Sequence, residues 1–296
     1  MFVFFHGYSP DTWEAMVKAG LIRENAGIRF CQSIEIDEEL KFNNLAKKGG
    51  KLYELIKENR YPFYIDRLQG GCYIENYPYN EDLVKEDKEM LGEKFYGFQM
   101  HEWLSNYKSD AIDKLGELSE EDWTAKNIKK MIFDKFPGKY LLLECMTAEE
   151  MAEAGKPKNA EEFFENMTAV FEKRQKVGEL IPCDSSYLAY QYELSTGVKR
   201  LCPEVGAQTA DARIQICYAR GMTRRDGKSF GVYYEPWGGD PFSTCMYNEK
   251  NEWAIGEKSD FPFRPVGPNG GSSRSLQKRV FLYAYLNNAQ FISEEW

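Results

Sequence analysis

Histidine is nearly missing. His6 and His101 are the only two in 296 residues, so a three-histidine metal centre is impossible. His101-Glu102 is followed by Trp-Leu-Ser, which also removes HExxH. No run approaches the roughly 18 apolar residues of a membrane-spanning helix. The seven cysteines contain no CxxC pair and their number is odd. Free thiols in a reducing compartment fit this better than a disulfide framework or a zinc site. There is no GxSxG elbow. The first strand-like run leads into HGYSPDTW rather than GxGxxG, so the dinucleotide fingerprint is absent. Gly267–Ser275, GPNGGSSRS, lacks the Gly-Lys-Ser/Thr ending of a P-loop and reads as a loop and helix cap. No cofactor and no metal are expected.

Basic charge is in the minority. Lys plus Arg is 38 against 47 for Asp plus Glu, a net charge of −9. Such a chain is a poor binder of phosphate backbones, so nucleic acid is not expected as a partner, nor is a membrane. The opening MFVFFHGYSPD has no basic region before its apolar run and does not read as a signal peptide. Cytoplasmic location is the expectation, or secretion if the chain is a truncated piece of a longer one.

Short apolar runs alternate with helix-like stretches along the whole chain. Nine runs read as strands: Phe2–His6, Ile28–Ile34, Pro62–Ile65, Tyr96–His101, Tyr140–Glu144, Leu180–Cys183, Arg200–Pro203, Phe230–Tyr234 and Gln290–Ser293. Helical spacing recurs over Asp11–Ala19, Lys51–Asn59, Glu81–Leu91, Glu120–Phe133, Ala160–Lys176, Tyr187–Ser195, Thr209–Arg225 and Ser275–Leu286. This alternation predicts parallel β-structure with helical crossovers. A doubly wound sheet and a closed (β/α)8 barrel both satisfy it. Polar residues at many strand ends favour a single α/β barrel of TIM type over residues 1–296, or the barrel part of a longer protein. A long loop insertion is expected around 238–275. Nine strands are one too many for eight, and the Leu180–Cys183 run is the weakest.

The strand ends carry the chemistry. The first gives His6, the third Asp66-Arg67 and the fourth His101-Glu102-Trp103. The fifth gives Glu144, and later ends give Asp184, Glu204, Glu235 and Glu294-Glu295. Any one Glu is an ordinary loop or capping residue. Several around one barrel mouth would raise each other's pKa, so that one stays protonated while another ionises. That division is what a glycosidase uses. Trp103, Trp237 and Trp296 each lie within two residues of such a Glu. Their rings would suit the C–H face of a sugar, or would simply close the rim. Glu102, Glu235 and Glu204 are the candidate catalytic carboxylates. Trp103, Trp237, Asp66, Arg67, His6, His101 and Glu295 are the candidate substrate-binding residues, and a carbohydrate is the expected partner. Two other readings share this rim. One is a carboxylate-metal isomerase or lyase, with Asp66, Glu102 and Glu144 around Mg or Ca. The other is a non-catalytic sugar-binding barrel.

The stretch CPEVGAQTADARIQICYARGMTRRDGKSFGVYYEPWGG resembles a segment of uncharacterised bacterial glycoside-hydrolase-like barrel proteins. SLQKRVFLYAYLNNAQFISEEW is similar to their last helix and strand, so the resemblance covers roughly Leu201–Trp296. In the large clan of retaining barrel glycosidases the acid/base ends the fourth strand and the nucleophile ends the seventh. The resemblance thus implies Glu102 as acid/base, with His101 standing where that clan usually has Asn. It implies Glu235 as partner if the Leu180–Cys183 run lies outside the barrel, and Glu204 if it lies inside.

Overall fold

A computed structural model describes residues 1–7, 10–31, 44, 47–66, 81–135, 143, 146–176, 178–206, 212–235 and 274–294. The strands are β1 Phe2–Gly7, β2 Ala26–Cys31, β3 Phe63–Asp66, β4 Phe95–His101, β5 Leu180–Asp184, β6 Arg200–Gly206, β7 Ser229–Phe230, β8 Val232–Glu235 and β9 Phe291–Glu294. They pair side by side in parallel, and a final β5–β6 pairing closes the sheet into a ring. β7 and β8 share one place in that ring. β7 pairs with the start of β6 and β8 with its end, and Gly231 separates them. A side chain at Gly231 would run into the ring of Phe291, so the chain can pass there only without a Cβ. The result is a closed eight-stranded parallel barrel.

Helices surround it. They are α1 Pro10–Lys18, α2 Lys51–Asn59, α3 Glu81–Leu91, α4 Trp103–Lys108, α5 Ala125–Lys135, α6 Ala148–Ala154, α7 Ala160–Gln175, α8 Tyr190–Ser195, α9 Ala212–Arg225 and α10 Arg274–Leu286. α6 begins with a reciprocal cap. The Thr147 hydroxyl accepts from the Glu150 N–H, and the Glu150 carboxylate accepts from the Thr147 N–H. α7 begins with Asn159, whose side chain accepts from the Glu162 N–H. Among the described residues no helix is long and apolar enough to cross a membrane.

Two apolar layers follow from strand alternation. Phe4, Tyr64, Tyr96, Ile181, Cys183, Cys202, Tyr233 and Phe291 come from seven different strands and form one apolar cluster, with Phe2 packed against it. Such a set must fill the barrel's inside. The second layer, including Ile28, Phe30, Ile65, Phe98, Met100, Leu180 and Val232, lies between strands and helices. Phe4 stands at the centre of the inner set, with ring centroids 4.9 Å from Tyr64, 5.4 Å from Tyr96 and 5.2 Å from Phe291. Each such aromatic pair adds about 0.5–1.5 kcal/mol beyond area burial. This plug leaves the polar inward positions toward the C-terminal ends of the strands.

The strand count differs from expectation in one place. Leu180–Asp184 is a full barrel member, hydrogen-bonded to β4 on one side and β6 on the other. The Tyr140–Glu144 run lies outside the described residues except for Leu143. The described strands close the ring without it. The expected seventh-strand place therefore does not pass to Glu204, which lies on the sixth barrel member. It falls at Glu235. α4 and α6 were not expected from periodicity, being only six and seven residues long. The loop around 238–275 lies outside the described residues, apart from Arg274 and Ser275 at the start of α10.

Candidate active site at the C-terminal end of the barrel

Above the aromatic plug the inward positions turn polar. β4 sends Gln99 and then His101 inward, β5 sends Cys183, and β6 sends Glu204 above Cys202. Each of these four is at most 11% exposed. Arg29 from β2 crosses to Tyr233 on β8. Its Nη2 donates to the Tyr233 hydroxyl at 2.6 Å and its Nη1 to the Glu294 carbonyl at 2.7 Å, with the guanidinium 4.5 Å from the Tyr233 ring centre. The Tyr64 hydroxyl donates to Ser293 Oγ at 2.8 Å. These contacts tie β2 to β8 and β9, and β3 to β9, across the inside of the ring.

His101 is the hub. Its Nε2 lies 3.3 Å from Glu204 Oε1 and 4.0 Å from Glu102 Oε2, and its ring meets Tyr233 edge-on at 5.3 Å. Glu204 is fully buried, whereas the Glu102 side chain is 35% exposed. One carboxylate thus sits in the wall and the other at the opening, with an imidazole between them.

Glu102 is held in an unusual backbone state, φ 44° and ψ 41°, the left-handed region that side chains other than glycine avoid. Its N–H donates to the Cys183 carbonyl at 2.6 Å, and its own carbonyl accepts from the Asn106 N–H at 2.9 Å. Asp184 secures the same turn. Its carboxylate accepts from the Leu104 N–H at 3.1 Å and the Ser186 N–H at 3.2 Å. Burial pushes the Asp184 carboxyl above its ordinary range, against those backbone donors.

The expected site residues separate into three groups. Glu102, His101 and Glu204 come together. Trp103 does not join them. The left-handed turn sends it outward, where it is 2% exposed, edge-on to Phe171 at 5.7 Å and capped by the Arg174 guanidinium at 5.1 Å. It is a packing residue with no face left for a sugar. His6, Asp66 and Glu235 lie on the strand ends as expected. Their backbones pair with Arg29, with Gln99 and with Gly206 respectively. Arg67, Glu144, Trp237 and Glu295 lie outside the described residues, as does Trp296. Sequence reading did not single out Arg29, Gln99, Cys183 and Tyr233. A two-residue step back from His101 and from Glu235 reaches Gln99 and Tyr233.

The chain matches no protein-family model and no curated protein.

Proposed function

We propose that this protein is a glycoside hydrolase built on a (β/α)8 barrel of TIM type, acting on an oligo- or polysaccharide. The closed parallel ring, with a helix between consecutive members, supports that architecture. The observation that carries the functional reading is the Glu102–His101–Glu204 array at the barrel's open end. Glu102 is the general acid/base. It ends the fourth strand, reaches solvent, and stands on a backbone that could relax if its position did not matter. Glu204 positions His101. His101 and Glu204 form the polar wall behind Glu102, whose proton passes to the leaving oxygen. Glu235, at the seventh place in the ring, is the second carboxylate. It attacks the anomeric carbon if the pair stands about 5–5.5 Å apart, and activates water if the gap is about 6.5–9.5 Å.

A panel of aryl glycosides and oligosaccharides tests this. Glu102→Gln and Glu235→Gln should each fold and lose turnover by about 10²–10⁴-fold. The Glu102→Gln loss should shrink on aryl glycosides whose leaving group needs no proton. No hydrolysis across the panel, or near-normal turnover in both variants, overturns the reading.

A further inference from the structure

We infer that the barrel holds a divalent transition-metal site of the zinc class, formed by His101, Cys183 and Glu204. One donor atom from each residue lies within 4.8 Å of the others. They stand on three consecutive members of the ring, β4, β5 and β6. His101 and Cys183 are direct register partners, and Glu204 lies two residues past Cys202, the register partner of Cys183. The donors are therefore set by strand geometry rather than by loops.

The His101–Glu204 spacing suits a small tetrahedral ion, and the Cys183 thiol lies within 4.8 Å of both. Zinc bonds of about 2.0–2.2 Å to N or O and about 2.3 Å to S put donors roughly 3.3–3.6 Å apart. His101 Nε2 and Glu204 Oε1 are 3.3 Å apart. The donor set selects the metal as well. A thiolate beside an imidazole and a carboxylate suits zinc or cobalt and not magnesium or calcium, which want oxygen alone. Three protein donors leave a fourth position open, as in zinc sites that hold a water.

Gln99 gives an independent sign of a ligand. It is fully buried on the inward face of β4, two residues before His101, and neither atom of its carboxamide has a hydrogen-bond partner. A buried amide left so is costly. A water on a bound ion is a partner of the right kind, and Gln99 would then be a positioning residue for it.

Cobalt(II) is the probe, titrated into the reduced full-length chain. The expected result is one ion per chain. It should show a near-ultraviolet thiolate-to-cobalt charge-transfer band and the visible bands of a four-coordinate ion. Cys183→Ser should lose the charge-transfer band, while Cys202→Ala keeps it. His101→Gln and Glu204→Gln should weaken binding by at least about tenfold. Zinc should raise the melting temperature of the wild-type chain, and a chelator should reverse that rise. This last readout needs no variant to fold. No stoichiometric binding overturns the site, and so does a thiolate band that survives Cys183→Ser. Neither result touches the glycosidase reading, which rests on turnover.

Discussion

Glu102 donates its backbone N–H to the carbonyl of Cys183 across 2.6 Å, which ties the end of the fourth strand to the fifth. Asp184, the next residue on β5, accepts the N–H of Leu104 from the other side of the turn. Two neighbouring residues of one strand thus hold the three-residue turn that carries Glu102. The turn forces Glu102 into left-handed backbone and sends Trp103 into the outer core, leaving the carboxylate at the rim beside His101.

That strain has a measurable size. A left-handed residue with a Cβ costs about 1–2 kcal/mol, and glycine escapes it at an entropic cost of roughly 0.5–1 kcal/mol. Glu102→Gly should therefore unfold at a slightly higher urea concentration than the parent chain, by up to about 1 kcal/mol, while losing the proposed glycosidase turnover. A lower midpoint would mean that the turn stores no strain and that the carboxylate itself is stabilising.

Asp87 on α3 predicts a pH effect far from the site. It is fully buried and both its carboxylate oxygens lack a hydrogen-bond partner. Burial first, and the neighbouring Glu86 second, raise its pKa from 3.8 to about 7. A carboxyl that holds its proton more tightly when folded stabilises the fold fully below the unfolded pKa. That contribution is lost as pH rises through the folded pKa. Stability should fall between about pH 4 and pH 7, by a few kcal/mol on the order of the linkage relation, and level off above. Asp87→Asn should flatten this slope and exceed the parent chain at pH 8, with the two converging near pH 4. Urea midpoints across that range check it; parallel curves for the two chains would contradict it.

Sequence pattern made the ring legible but not its inner wall. The strand runs and the acidic strand ends are local features, and the helix boundaries for Lys51–Asn59 and Glu81–Leu91 match the observed ones. Two errors had non-local causes. Leu180–Cys183 reads as the weakest strand, and only its pairing with β4 and β6 shows it to be a full ring member. Trp103 sits next to Glu102 in sequence, yet a left-handed turn separates their directions. The His101–Cys183–Glu204 convergence was hidden for the same reason. A search for metal motifs looks for close spacing, whereas these three donors lie on three strands and meet only when register is known.

Gly97 decides which face of β4 His101 occupies. Tyr96 points into the barrel, and simple alternation would send Phe98 and Met100 inward after it, with Gln99 and His101 facing the helices. Phe98 and Met100 instead join the outer core, and His101 reaches Glu204 inside. The switch is a bulge. Phe63 pairs with Phe95 but Tyr64 pairs with Gly97, so Tyr96 is an extra residue. Gly97 has φ 97°, and a Cβ there would collide with the Glu179 carbonyl, which accepts the Phe98 N–H at 2.8 Å. That hydrogen bond starts the β4–β5 pairing that ends at His101 and Cys183. Gly97→Ala should therefore cost at least about 3 kcal/mol, from the forbidden backbone state and the collision together. If any of it folds, it should do so by sliding the register, which turns His101 away from Glu204. Turnover and cobalt binding should then be lost together. An alanine variant with the parent urea midpoint and an intact cobalt spectrum would show that the bulge does not aim His101.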